Sequence, residues 1–310
     1  MKRRTFLSLA AAAPAVSAAS LPDLGRIPTR KVGKVEVVFK SPALEGQPYG
    51  QPNGLQATEE GLWIIDQGAG SKAYLVSYQD GKVLRSFNTE TDRSSGITFD
   101  NGTLWIGSTY SRETVRVDAE TGKTLERHFT PGAGVIYQMK GDPKQRSSPV
   151  ASQYPRPGRG GGKKGGGGQN GQQAGGGQGR GQNVGGFQMG QVLGGAAPGT
   201  GAHGQEVRDG VLWFVVPPSR MVYSIDPKTW VIQTRFPVAG NRPHGIGWEG
   251  KYLWVADSNL NACFKHDTDT GEMVEKIQLA ETDPLPHGMT IWQGNMWYCD
   301  DVGIVCRLKL

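Results

Sequence analysis

The sequence predicts an all-β fold: a five-bladed β-propeller of four-stranded antiparallel blades, closed by its own N-terminal strand. Three observations predict it. A turn ending in glycine recurs five times, an apolar-Trp pair follows each recurrence, and the last unit lacks one strand that the N-terminal region can supply.

The recurring starts are Pro52-Asn53-Gly54-Leu55, Ser94-Ser95-Gly96-Ile97, Ala202-His203-Gly204-Gln205, Pro243-His244-Gly245-Ile246 and Pro286-His287-Gly288-Met289. Eight or nine residues past the turns come Leu62-Trp63, Leu104-Trp105, Leu212-Trp213, Leu253-Trp254 and Met296-Trp297. The first two starts lie 42 residues apart, and the last two intervals are 41 and 43. A period near 40 with several short strands per unit is what a propeller blade requires.

The fourth unit shows the strands most plainly. Residues 245–248 form the innermost strand, and Glu249-Gly250 makes the turn into an apolar second strand at 252–256. A third strand at 262–266 leads through the turn Asp267-Thr268-Asp269-Thr270-Gly271 to an outer strand at 273–279. The repeated Trp is expected to fill the space between neighbouring blades, where a large flat ring buries much area.

The fifth unit ends after three strands. The missing one matches the N-terminal region, because GKVEVVF at 33–39 parallels GKVLRSF at 81–87, the outer strand of the first unit. Residues 35–39 are therefore expected to pair with 304–308 and close the ring, leaving only short protected edges. The propeller domain is expected to span residues 34–310.

The 108 residues between Ser94 and Ala202 exceed one period by about 66. A Gly-rich insertion at 137–200, between blades 2 and 3, accounts for them. Its centre at 158–195 is mostly Gly, Gln, Asn and Lys/Arg, which buries too little to offset ordering entropy, so disorder is expected there. It joins an outer strand to the next inner one and should emerge on the channel-mouth face.

Residues 1–18 read as a cleaved signal peptide. Lys2, Arg3 and Arg4 precede an apolar run at 6–16 and the small residues Val16-Ser17-Ala18. Arg3-Arg4-Thr5-Phe6-Leu7 suits twin-arginine export, with an ordinary secretion signal as the alternative. A periplasmic or secreted protein without a membrane anchor is expected, since the apolar run is too short to span a bilayer.

The net charge of +6 does not imply an acidic partner. The signal carries +3 and residues 140–201 carry +7, so the folded body is left near −4. A nucleic-acid-binding face is not expected on such a body. Cys263, Cys299 and Cys306 do not make a disulfide framework; Cys299 and Cys306 flank one hairpin, so either a cross-strand bond or buried thiols fits.

In each blade the turn before the first strand meets the end of the second at the channel mouth. Around the ring the turn positions are Asn53, Ser95, His203, His244 and His287, and the strand-end positions are Asp66, Ser108, Val216, Asp257 and Asp300. Three of the five histidines thus occupy equivalent ring positions, while His128 and His266 follow no such rule and are expected at the surface. Convergent imidazoles with an added O or N donor suit zinc or a similar divalent metal, so His203, His244, His287 and Asn53 are the candidate ligands. Asp66, Asp257 and Asp300 are the candidate catalytic residues, as general bases or as groups that orient the imidazoles. Equally, a water-filled channel is lined by polar residues whatever its function, and duplication of repeats spreads a His that merely caps a turn.

Pro52-Asn53-Gly54-Leu55 with Leu62-Trp63-Ile64-Ile65-Asp66, and Pro243-His244-Gly245-Ile246 with Leu253-Trp254-Val255-Ala256-Asp257, resemble repeats of the gluconolactonase/regucalcin and virginiamycin B lyase superfamily. The resemblance covers nearly all of the chain outside the signal and the insertion, though many propellers of diverse function share the motif. In gluconolactonase-like members the middle residue of such a turn ligates a divalent cation that assists lactone hydrolysis, and Asn53 is the matching position here. The sequence departs from that pattern where His203, His244 and His287 stand, where no ligating Glu is evident, and in having five blades instead of six or seven. Plant-type glutaminyl cyclases resemble it in blade number but not in motifs.

Two readings follow. One is a metal-assisted hydrolase or lyase acting on a small polar substrate at the channel mouth. The other is a non-catalytic propeller binding a ligand or partner on the same face. In both, the chain is expected to act as a monomer on a small-molecule ligand, without nucleic acid.

Overall fold

The computed structural model describes residues 23–47, 49–68, 71–134, 136–139, 141–154, 191–193 and 200–310. Residues 1–18, expected to be a signal peptide, and most of the Gly-rich insertion lie outside the described residues.

A strand near the N-terminus, β1 (Glu36–Lys40), precedes the first blade of β2 (Pro52–Ala57), β3 (Leu62–Asp66), β4 (Lys72–Val76) and β5 (Val83–Asn88). Blade 2 is β6 (Ser94–Asp100), β7 (Thr103–Ser108), β8 (Glu113–Asp118) and β9 (Thr124–Phe129). A short antiparallel pair follows, β10 (Ile136–Gln138) with β11 (Gln191–Leu193). Blade 3 is β12 (Gly204–Arg208), β13 (Val211–Val216), β14 (Met221–Asp226) and β15 (Val231–Pro237). Blade 4 is β16 (Pro243–Glu249), β17 (Tyr252–Asp257), β18 (Ala262–Asp267) and β19 (Met273–Gln278). Blade 5 takes β20 (Met289–Trp292), β21 (Asn295–Asp300) and β22 (Ile304–Lys309) from the C-terminal region, with β1 as its outer strand.

The five-bladed ring and its closure are therefore those the repeats predict. β1 runs antiparallel to β22 with Glu36 opposite Arg307 and Lys40 opposite Ile304. The first of these pairs is also an ion pair, 2.7 Å long.

The recurring glycine explains how five sheets meet at one axis. A Cβ on Gly54 would lie 2.8 Å from Gly96 Cα, one on Gly96 2.4 Å from His203 O, and one on Gly204 2.1 Å from His244 O. Around the rest of the ring, a Cβ on Gly245 would meet Met289 N at 2.1 Å and one on Gly288 would meet Asn53 O at 2.5 Å. Each blade thus presses bare backbone against the next, and Gly245 N donates to His287 O across one of these joints at 2.8 Å. Only glycine permits that approach.

At the same step the inner strand bulges. Register shifts fall between Pro52 and Gly54, between Ser95 and Ile97, and between Pro243 and Ile246. A bulge re-aims a side chain out of the ordinary alternation. The residues skipped at these bulges are Asn53 in blade 1, Gly96 in blade 2, and His244 with Gly245 in blade 4.

The apolar core lies between blades, as the Trp positions predict. Trp63 packs with Ile97, Leu104 and Val115 of blade 2, and Trp105 with Leu212, Phe214 and Ile225 of blade 3. Trp254 packs against blade 5, and Trp297 against Leu62, Ile64 and Val76 of blade 1. Trp213 is half-buried and meets Trp248 of blade 4 edge-on, at 5.3 Å between ring centroids.

Folded structure begins before residue 34. Pro28 and Arg30 exchange backbone hydrogen bonds with Lys276 of β19, both 2.8 Å. Arg30 reaches Glu249 at 2.7 Å and Glu275 at 2.6 Å, and its guanidinium lies 5.3 Å over Trp254.

The insertion also begins with ordered chain. Residues 141–154 cross blades 3, 4 and 5 as a strap. Arg220 donates to Asp142 at 2.5 Å, Asn241 to Pro143 O at 3.0 Å, Arg146 N to Asn259 Oδ1 at 3.0 Å and Ser148 Oγ to Asp300 Oδ2 at 2.7 Å. Val150 is 4% exposed and joins the core between blades 4 and 5.

All three cysteines are free and buried. Cys299 pairs with Val305 and Cys306 with Tyr298, so the two thiols project from opposite faces of the sheet. A cross-strand bond is ruled out by that register. One histidine also departs from expectation. His266 is fully buried, stacked on Phe236 at 5.1 Å with Nδ1 3.1 Å from Gly271 O, and burial lowers its pKa to about 4. His128 is partly exposed, stacked on Trp230 at 4.0 Å. No helix among the described residues is long and apolar enough to cross a membrane.

Candidate functional site: an axial histidine pit

The turns into β12, β16 and β20 bring His203, His244 and His287 side by side near the axis. Ring centroids of His203 and His244 are 4.7 Å apart at 78°, and those of His244 and His287 are 3.9 Å apart at 38°. The three are 9%, 5% and 5% exposed. Asn53 and Ser95 complete the layer, both buried, and neither the Asn53 amide nor the Ser95 hydroxyl has a hydrogen-bond partner among the described residues. Buried polar atoms are nearly always satisfied in folded proteins, so unsatisfied ones clustered on an axis mark a place built for something else.

His244 is oriented. Its Nδ1 lies 3.0 Å from Arg242 O and 3.3 Å from Ser258 Oγ. A proton on Nδ1 donated to that carbonyl leaves Nε2 as a lone-pair donor. Burial holds His203 neutral, with its pKa lowered to about 3, and the Arg242 charge adds to the effect. Burial likewise takes His244 well below its ordinary range, helped by the neighbouring His287 and His203 and by Arg242.

A second layer lies three residues further along each inner strand: Gln56, Thr98, Glu206, Gly247 and Thr290. Thr290 Oγ1 donates to Glu206 Oε1 at 3.0 Å, and Thr98 Oγ1 donates to Gln56 Oε1 at 2.6 Å. Blades 3 and 5 are not neighbours, so the Thr290–Glu206 bond crosses the channel and floors the pit. Burial raises the Glu206 pKa to about 8, against the opposing pull of its bonds to Thr290 and Gln56. The carboxyl is therefore largely protonated at neutral pH. Sequence reasoning passed over this layer, although the same offset from each glycine turn would have found it.

Asp66, Asp257 and Asp300 take a different place. Asp66 accepts from Gln51 N and Gly68 N, both at 2.6 Å. Asp257 accepts from Arg242 N, Asn259 N and Leu260 N, each at 3.0 Å. Asp300 accepts from Leu285 N at 2.5 Å and Val302 N at 3.0 Å, besides the strap's Ser148. Each carboxylate thus ties the loop entering its blade to the loop leaving the second strand. Ser108 does the same in blade 2, accepting from Asp92 N at 2.8 Å. Burial raises the pKa of all three aspartates, and for Asp300 the adjoining Asp301 carboxylate raises it further.

Arg242 joins the two sets and was not singled out by sequence. Its peptide NH is held by Asp257, its carbonyl by His244, and its Nη1 donates to Arg146 O of the strap at 3.0 Å. Among the described residues no carboxylate lies within ion-pair distance of its guanidinium. The strap therefore passes over the pit-side face of blades 3 to 5.

The fold and this pit define a five-bladed β-propeller with a polar, nearly sealed axial site. No family model matches the chain, and no curated protein matches it. Among solved structures it is similar to the glutaminyl cyclase of Myxococcus xanthus, with TM-score 0.53 and 9% identity over 91% of this chain and 97% of that one. It is also similar to a streptogramin B lyase, with TM-score 0.45 and 14% identity over 89% and 97% of the two chains. Virginiamycin B lyase from Staphylococcus aureus gives TM-score 0.45 and 15% identity over 89% and 99%. At such identities the fold is what is shared.

Among the described residues no group of three or more His, Cys, Asp or Glu side chains stands ready to hold a metal ion. Three imidazoles, two of them kept neutral by burial, and the Asn53 amide are residue types that zinc takes, but here they do not stand around a common point.

Proposed function

We propose that this is an exported propeller that uses its axial pit as the site of a metal-assisted hydrolase or lyase acting on a small polar substrate. The observation that carries the reading is the side-by-side placement of His203, His244 and His287, with His244 Nδ1 turned to Arg242 O and the unpaired Asn53 amide beside them. These four residues would hold the metal. A divalent metal bound there supplies Lewis acidity. The chain's own residues do the rest. The Arg242 carbonyl fixes the tautomer of His244, the protonated Glu206 layer closes the channel beneath, and the strap limits the access of water. Of the three aspartates, Asp300 has the properties of a proton carrier, because burial and Asp301 raise its pKa. Asp66 and Asp257 act as loop ties. The N-terminal signal pattern supports export, to the periplasm or outside the cell.

Elemental analysis of the purified mature protein tests the reading. It expects a stoichiometric transition metal that is lost in His244→Ala while the fold is kept. Metal-free protein that takes up none from a zinc, cobalt or nickel solution overturns it. One observation favours the second reading, a non-catalytic propeller that binds its ligand directly. The 3.9 Å, 38° approach of His244 and His287 is a stacking contact, tighter than two imidazoles around one ion need. In that reading the imidazoles hydrogen-bond the ligand themselves, and His244→Ala abolishes ligand binding in metal-free protein.

A further inference from the structure

Away from the pit, at the far end of the gap between blades 5 and 1, lies a cleft of about 540 Å³ walled by Tyr78, Trp292, Trp297, Gln293, Asn295 and Arg307. That volume falls in the range of small-molecule sites, about 300–1,000 Å³. Trp297 itself is buried beneath Tyr78 and Arg307, and Trp292 is the half-buried ring of the cleft's lining.

Its walls are rigid. Tyr78 is held through its hydroxyl, which donates to Thr58 O at 2.7 Å and accepts from Thr58 N at 3.0 Å, and its ring meets Trp297 at 5.2 Å and 51°. Arg307 lies 5.4 Å over Trp297 and is held by Glu36 at 2.7 Å.

We infer that this cleft binds a neutral saccharide. The half-buried Trp292 ring offers a surface for the C–H face of a sugar ring, and planar amide, carboxylate and guanidinium groups in the lining match its hydroxyls, which both donate and accept. Charge favours a neutral ligand. The single guanidinium is already paired with Glu36, and Glu59 adds a carboxylate to the lining, which disfavours an anion. A strand-adding peptide is disfavoured too, because β1 already pairs with β22. The inference is independent of the pit and its chemistry.

Titration of the mature protein with cellotriose, maltotriose and chitotriose, read by tryptophan fluorescence and calorimetry, tests it. At least one should bind saturably in the millimolar range. Trp292→Ala should weaken that binding by about tenfold, the size of one aromatic contact, and Trp292→Phe should largely restore it. His244→Ala should leave it unchanged. Thermal melts show that each variant is folded. The inference is overturned if none of the three sugars binds, or if Trp292→Ala binds as tightly as the parent.

Discussion

His244 Nδ1 and the carbonyl oxygen of Arg242, two residues earlier in the same turn, lie 3.0 Å apart. This contact joins a buried imidazole to the backbone of an arginine whose side chain reaches the strap, so the pit and the docking of residues 141–154 are linked through a single turn.

Acid should act through the pit. Folded-state pKa values of His203 and His244 lie below the ordinary 6.5, so the unfolded chain binds protons that the folded one refuses. Their contribution to stability is present above about pH 6.5 and is lost as pH falls toward the folded value, by about 1.4 kcal/mol per pH unit for each proton. Urea midpoints measured between pH 7 and pH 4 should fall less steeply in His203→Asn. An unchanged slope would show that these imidazoles titrate normally.

Glu206 should act in the opposite direction. Its folded pKa of about 8 exceeds the ordinary 4.5, so its stabilising contribution is complete below about pH 4.5 and is lost as pH rises through 8. Glu206→Gln keeps the shape and the hydrogen bonds but not the titration. The variant should be more stable than the parent at pH 9 and near parity at pH 4. Equal stability at both values would place the carboxyl in water.

Gly245→Ala should be among the most damaging single changes in the chain. The new Cβ would sit 2.1 Å from Met289 N, which is backbone and cannot step aside. A loss above about 4 kcal/mol is expected, against a change within about 0.5 kcal/mol for Gly33→Ala, whose Cβ position is open. Denaturant melts of the pair measure the difference. Tolerance of alanine at 245 would mean that the blades can spread.

Deleting the chain through Lys40 removes β1, exposes β22 as an edge and strips Val35 and Phe39 from two inter-blade cores. Those two side chains alone contribute about 1.5–3 kcal/mol each. The truncated ring should melt well below the parent and aggregate through the new edge. An unshifted melt would leave closure without energetic weight.

The fold was legible because its two steric demands fall on single residues that every blade repeats. One is a glycine where backbones touch at the axis, and the other is a tryptophan where sheets face each other. The position of the histidines was legible for the same reason, since they precede that glycine. What the repeats do not encode was missed. Ser148 finds Asp300 and Arg146 finds Asn259 across more than a hundred residues of chain, and no local pattern announces such contacts. The backbone partners of the aspartates at the strand ends are likewise invisible in a sequence. His266 was misplaced because a single polar residue at the end of a strand does not reveal that Phe236 of the preceding blade lies over it.

The bond between Glu36 and Arg307 joins positions 271 residues apart. During synthesis β1 is among the first strands to appear and must wait for β22, one of the last. No part of the ring is fully closed until then, so blades 1 to 4 form while blade 5 stands open on two sides. Contacts of such long sequence separation are slow to make. Closure of the ring is thereby a late step, and a chain interrupted before residue 304 keeps every earlier repeat yet has no finished propeller.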